Sequence, residues 1–147
     1  MRSPENEAVV LGMWTDYDRD GLPGILGWAA EDAEWRPYSA ERKVFRTTAD
    51  YRAYLEASSE RGVNVDSIRL GIWSHGDVVA VRGRLRVRQG GIVDDSRMYW
   101  VHRVREGKVV WTASSPDLGG LLAEAGLPGR GITNEAFVAM HSGRPAD

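Results

Sequence analysis

Histidine is the side chain best suited to moving a proton near neutral pH, and the three histidines of this chain stand in very different settings. His102 lies in a run where Met98, Trp100, His102 and Val104 alternate with Arg97, Tyr99, Arg103 and Arg105. A period of two is the signature of a strand with one apolar face. His102 is therefore predicted to point inward from mid-strand, next to Trp100. An imidazole so placed can exchange a proton or orient a ligand carbonyl, and it is the one catalytic candidate. The alternative is a core histidine bonded to a neighbour. His75 sits in the turn His75-Gly76-Asp77, and His141 lies in the polar tail. Histidines so dispersed, with no HxH, HExxH or clustered carboxylate spacing, predict no metal site. The chain has no cysteine, which removes thiolate catalysis, disulfides and cysteine-ligated metal, and fits a reducing compartment. Without a G-x-G-x-x-G or a P-loop, no cofactor is expected.

A second set of residues suits binding. Trp14, Tyr17, Trp35 and Trp100, with Trp28 or Trp111 as further candidates, can wall a cavity for a flat apolar ligand. Aromatics at helical or strand spacing can equally be core. Tyr17 and Tyr38 can donate hydrogen bonds to a ligand oxygen or satisfy backbone groups. The carboxylates nearest to this set are Asp32, which reads as a turn residue, and Glu34, which opposes Trp35 across the strand. Neither reads as a general base.

A third set is cationic. Arg69, Arg84, Arg86, Arg97, Arg103 and Arg105 alternate with apolar residues and share their predicted face with Trp73 and Tyr99. Arginine and aromatic residues are enriched at interfaces, so this face is expected to form a homodimer interface, with Arg69, Trp73, Arg84, Arg86, Tyr99 and Arg103 at its centre. The alternative is a solvated face whose long side-chain stems cover the sheet.

These residues must be held by a definite set of elements. Residues 5–19 read as an amphipathic helix after Ser3 and Pro4, with Val10, Met13, Trp14 and Tyr17 on one stripe. Leu22 to Ala30 reads as a second short helix. Residues 33–38 read as a short edge strand or bulge, because Pro37 cannot donate to a ladder, and Lys43 to Thr47 as its return. A third helix spans 49–60, capped by Thr48, with Tyr51, Tyr54, Leu55 and Ser58 at helical spacing up to Gly62. Four strands follow. In the first, 64–74, Ile68, Leu70 and Ile72 share one face and Arg69, Gly71 and Trp73 the other. The next three, 78–88, 96–105 and 108–115, are joined by turns at Gln89-Gly90-Gly91 and Glu106-Gly107. A last helix through Leu118, Leu121, Leu122 and Ala125 is expected to lid the wide end of the sheet. Residues 1–127 are read as a single domain and 128–147 as a C-terminal extension, mobile at its end.

Composition narrows the class further. With 147 residues, 42% hydrophobic and 27% charged, the chain suits one ordinary globular core. No apolar run approaches the roughly 20 residues of a membrane span, and the N-terminus lacks an apolar signal segment, so a cytoplasmic location without membrane contact is expected. The net charge of −2 hides a segregation, with 12 acids and 7 bases in residues 1–60 against 9 acids and 12 bases in 61–147. The basic half is not interleaved with lysines or glycine-rich loops, so no nucleic-acid partner is expected.

The order helix, helix, short strand pair, helix, four long strands makes an α+β domain: a curved, mainly antiparallel sheet against three N-terminal helices. Together with Gly21-Leu22-Pro23-Gly24-Ile25-Leu26, Ala30-Glu31-Asp32-Ala33-Glu34-Trp35, Val104-Arg105-Glu106-Gly107-Lys108-Val109-Val110 and Leu121-Leu122-Ala123-Glu124-Ala125-Gly126-Leu127, this order resembles the nuclear transport factor 2-like superfamily. Within it, the chain is most similar to the SnoaL-like branch of polyketide cyclases, ketosteroid isomerases and limonene epoxide hydrolases. The resemblance spans roughly residues 5–127. It implies a conical, cystatin-like fold, an apolar pocket between sheet and helices, frequently a homodimer, and a small-molecule ligand. It implies two carboxylates for isomerase chemistry, but their approximate positions hold Arg36 or Pro37 and Trp100. For epoxide hydrolysis it implies aspartates on the last two long strands, where Ser114 stands near one position and arginine, leucine or valine surround the other. The expectation is thus an apolar, ring-containing ligand bound by Trp14, Tyr17, Trp35, Trp100 and Ser114, with proton-transfer, cyclase or hydrolase activity or, alternatively, a non-catalytic interaction module.

Overall fold

The computed structural model describes residues 1–41, 43–127 and 132–140. Helix α1 (Pro4–Asp20) starts where Ser3 accepts the Asn6 N–H, with Pro4 in the first turn and Glu5 and Glu7 at the positive end of the helix dipole. It buries the predicted stripe Val10, Met13, Trp14 and Tyr17. Ser74 on the sheet anchors its start, accepting the Ser3 N–H at 2.8 Å and donating to buried Glu7.

Helix α2 is shorter than its spacing predicts, Leu22–Leu26, and strand β1 (Ala29–Arg36) takes over Ala29 and Ala30. Two tertiary contacts override helix propensity here. The Trp28 carbonyl accepts the Val109 N–H, and the Trp28 ring N–H reaches Asp16 at 2.7 Å, which turns the chain into the sheet. The predicted return strand at Lys43 to Thr47 reduces to a single bridge between Phe45 and Trp35. Helix α3 (Thr48–Glu60) begins one residue earlier than expected, because Thr47 rather than Thr48 caps the Asp50 N–H.

Strands β2 (Asn64–His75), β3 (Val78–Gln89), β4 (Ile92–Arg105) and β5 (Lys108–Ser115) run antiparallel in hairpin succession, and β1 adds in parallel to β5. The sheet order is β1-β5-β4-β3-β2, closed beyond β2 by the short strand β6 (Val138–Ala139). Val79, Val81, Leu85, Met98, Trp100 and Val104 face the helices, as their parity predicts, and make the main core with α1, α2 and α3.

Strand β2 departs from the expected pattern. Its register with β3 shifts between Arg69 and Gly71, so the inward positions run Val65, Ser67, Arg69 and then Ile72 and Ser74. A bulge inserts one residue and flips every side chain beyond it. Ile68 and Leu70, expected on the face of Ile72, are instead about two-fifths exposed. Gly83, opposite the bulge, is obligatory, because a Cβ there would overlap the Ile68 carbonyl.

The other face of the sheet is also covered, which the sequence reading did not foresee. Helix α4 (Leu118–Glu124) does not lid the cone. It lays Leu121 and Leu122 on the outer face, against Val78, Ala80, Val101 and Ala113. Beyond it, Phe137 is buried on the same face beside Tyr99, and Val138–Ala139 pair with β2 as strand β6. The expected mobility of the tail concerns residues 141–147, and these, with 128–131, lie outside the described residues. Among the described residues no helix is long and apolar enough to cross a membrane.

Candidate functional site

Between the helices and the inner sheet face lies a cavity of about 690 Å3. α1 supplies Met13, Trp14 and Tyr17. α3 contributes Tyr51, Tyr54 and Leu55, and the sheet contributes Trp35, Leu85, Trp100, His102, Thr112 and Ser114. All five residues predicted to line a pocket, Trp14, Tyr17, Trp35, Trp100 and Ser114, meet there with His102. A smaller space of about 370 Å3 shares Leu85 and Val87 and continues toward the β3–β4 hairpin past Ile92 and Asp94.

The walls are aromatic. Trp14 packs edge-on against Tyr17 and Trp100, with ring centroids 5.2 and 5.3 Å apart, and Trp35 stacks on Tyr51 at 4.6 Å. Edge-to-face and offset contacts at such distances are favourable geometries for ring pairs. The Trp35 ring N–H donates to Thr48, whose hydroxyl donates to the Ala30 carbonyl, so this wall is tied to the backbone. Tyr51, Tyr54, Leu55 and Ser58 were legible as one stripe of α3 but not as cavity lining, since a helical stripe alone does not tell core from pocket.

His102 is fully enclosed. Its Nδ1 is 2.9 Å from the Thr112 hydroxyl, the residue directly opposite in the β4–β5 ladder, and its ring faces Trp14 at 6.2 Å. Burial pushes its pKa down to about 3, so the imidazole stays neutral across the physiological range. Among the described residues its Nε2 and the Trp14 Nε1, both buried, have no hydrogen-bond partner. Ser114 accepts the Tyr38 N–H at 2.8 Å, and the Tyr17 hydroxyl donates to the Val65 carbonyl at 3.3 Å. Tyr17 thus satisfies a backbone group, and Tyr38 is 42% exposed on the turn beyond β1. Burial also raises the Tyr51 hydroxyl above its ordinary pKa, which keeps it protonated. The carboxylates lining the cavity are Glu56 and Glu60, both exposed. Among the described residues no three histidines or carboxylates stand close enough to hold a metal ion.

The residues expected to form a dimer interface do not share one open face. Arg69 lies on the helix side, its guanidinium 4.9 Å from the Trp14 ring and 5.3 Å from Tyr17, bound to Asp18 and to the Ser67 carbonyl. The bulge in β2 is the reason. Tyr99 is buried beside Phe137, and Arg103 donates to the Ala125 carbonyl at the end of α4 and pairs with Asp77. The chain's own C-terminal elements therefore occupy their part of the face. Trp73, Arg84 and Arg86 remain on the outer side. Arg84 and Arg86, two apart on β3, both bind Asp95 of β4, at 3.0 and 3.1 Å, so one carboxylate offsets their like charges.

No family model and no curated protein matches the chain. Solved structures do. An NTF2-like protein of unknown function from Burkholderia pseudomallei K96243 superimposes with a TM-score of 0.67 at 17% identity, over 82% of this chain and 97% of that one. TerC, co-crystallised with polyporic acid, gives 0.66 at 18% identity, over 84% of this chain and 97% of its own. A candidate polyketide cyclase from Xanthomonas campestris pv. campestris gives 0.65 at 12% identity, over 81% and 95%. A curved six-stranded sheet, N-terminal helices enclosing a cavity on its inner face, and these superpositions together show that the chain has the nuclear transport factor 2-like fold.

Proposed function

We propose that the protein binds a small, largely apolar, ring-containing molecule in the cavity between sheet and helices. The observation that carries this reading is the cavity itself. At about 690 Å3 and walled largely by aromatic and aliphatic side chains, it has the size and character of small-molecule sites. Water in such a space gains little from its walls, whereas an apolar ligand gains roughly 25 cal/mol for each Å2 it buries. That TerC, a neighbour in fold, was co-crystallised with polyporic acid supports a pocket ligand here. The rival reading, an interaction module whose interior is filled by its own side chains, is not favoured by a space of this volume.

If the ligand is turned over, the chemistry differs from the proton exchange expected of His102. An imidazole that is fully enclosed, neutral and partnered by a hydroxyl rather than a carboxylate suits hydrogen bonding and not proton carriage. Among the described residues the carboxylates that line the cavity are Glu56 and Glu60, both exposed, so no enclosed carboxylate stands there to act as base. The leading reading is therefore binding.

The test is native mass spectrometry of the freshly purified protein, with tetralin binding measured by equilibrium dialysis as an apolar reference. The expected result is a retained ligand mass or saturable tetralin binding that Leu85→Trp, which fills the cavity, abolishes. Absence of both, or tetralin binding that Leu85→Trp leaves unchanged, would overturn the reading.

A further inference from the structure

Residues 137–140 close around the edge of β2 from both faces of the sheet. Phe137 is buried on the outer face, in the space left by Gly71, where an added Cβ would come within 2.8 Å of the Phe137 Cβ. Met140 packs against the core on the inner face. Between them Val138 and Ala139 pair with Ile72 and Gly71.

What this strap grips is the bulge. Arg69 pairs with Gly83 and Gly71 with Arg82, so Leu70 is the residue that the mismatch leaves without a partner on β3. Its carbonyl accepts the Met140 N–H instead, at 3.3 Å. A bulge is one extra residue in one strand, and its place along the strand sets which face each neighbouring side chain takes. With the mismatch moved toward Ser67, Arg69 would follow Ile68 outward. On a strand with a free edge, little besides the strap fixes that place.

The position of Arg69 matters to the cavity. Its guanidinium, bound to Asp18 and to the Ser67 carbonyl, lies 4.9 Å from the Trp14 ring and 5.3 Å from the Tyr17 ring. Cation and ring attract each other at such distances, most strongly where water is excluded. Trp14 and Tyr17 carry the wall that α1 gives to the cavity, so Arg69 braces that wall from behind.

Building on the reading of the cavity as a ligand site, we propose that Phe137 and Met140 are positioning residues for it: their strap holds the bulge at Leu70, which keeps Arg69 turned inward and braced on the Trp14 and Tyr17 rings. The coupling runs through direct contacts at every step, and the element with two arrangements is the bulge. Linkage makes the effect reciprocal. Whatever the docked strap adds to ligand affinity, a bound ligand returns as tighter docking of the strap. A strap that only covered the edge of the sheet would add stability and leave the cavity as it is.

Phe137→Ala is expected to weaken tetralin binding about fivefold in equilibrium dialysis. It should also displace the Trp14 indole N–H resonance, while the Trp35 indole, on β1 at the far edge of the sheet, stays in place. Phe137→Leu, which refills the space beside Gly71, is expected to restore both. In an Arg69→Met background, Phe137→Ala should add less than about twofold to the loss of affinity, because the route is already cut. Where Phe137→Ala leaves too little folded protein, the wild type supplies the reciprocal measurement: saturating tetralin should slow hydrogen exchange at the Met140 amide about fivefold. Unchanged tetralin affinity in folded Phe137→Ala, additive losses in the double variant, or Met140 exchange indifferent to bound tetralin would overturn the proposal and leave the cavity a ligand site. Failure of the cavity reading shows differently, as a wild type that binds no tetralin; a Trp14 resonance that Phe137→Ala displaces then still supports the strap's hold on the wall, and one that it leaves unmoved overturns that as well.

Discussion

At the scale of the residue, burial decides chemistry more than residue type does. A strand histidine beside tryptophan is a reasonable proton carrier on paper, but enclosure without a carboxylate removes its capacity to hold a charge. This has a consequence for stability. His102 titrates near 3 when folded and near the ordinary 6.5 when unfolded, so below pH 6.5 protons bind the unfolded chain preferentially. Its contribution is neutral above pH 6.5 and destabilising below it, by about 1.4 kcal/mol per pH unit. Chemical denaturation at pH 7.5 and 5.0 should show a stability loss in the wild type that is smaller in His102→Gln by about 2 kcal/mol; parallel losses would contradict a buried neutral imidazole. Arg69 makes the converse case. Its side chain is 5% exposed, held between two rings and an aspartate. Arg69→Met keeps the apolar stem and removes the charge-assisted bonds, and thermal unfolding should register a loss of about 2 kcal/mol.

The β2 bulge is the feature that matters most at the scale of the element. It brings Arg69 under α1 and sends Ile68 and Leu70 outward, and the close approach of β2 and β3 at that point admits only a glycine on the partner strand. Gly83→Ala would place a methyl group against the Ile68 backbone. Because backbone cannot step aside cheaply, a destabilisation of roughly 2–3 kcal/mol is expected in urea denaturation. Gly76→Ala, in the β2–β3 turn with open space around it, provides the comparison: its cost arises from positive φ alone, about 1 kcal/mol. Equal costs for the two would show that the bulge tolerates a side chain.

For the whole molecule, two layers of packing enclose one sheet. The inner layer leaves a cavity, and the outer layer of α4 and Phe137 is closed. Phe137→Ala should destabilise by about 3 kcal/mol and expose the Tyr99 ring to solvent, measured by thermal unfolding and tyrosine accessibility to nitration. An unchanged midpoint would mean that residues 132–140 contribute little to the fold. How much of this was readable beforehand follows from physical range. Strand periodicity, the α1 stripe and the hairpin turns are local properties, so the order of elements, the inward set Met98, Trp100, His102 and Val104, and the α+β class were determined by the amino-acid sequence alone. The five aromatic and polar residues around the cavity were named from residue type together with the family resemblance, since periodicity alone does not tell core from pocket. The apolar run Val78 to Val81 even carried a sign that this strand is buried on both sides, since neither parity is polar. Tertiary structure alone decided the rest. A bulge is a mismatch between two strands and has no trace in either one. The side of the sheet on which α4 lands depends on contacts that reach back as far as Val78 and Ala80, on another strand well before it in the chain. The charge state of His102 depends on everything that surrounds it, and no spacing of residues encodes how much water is kept away.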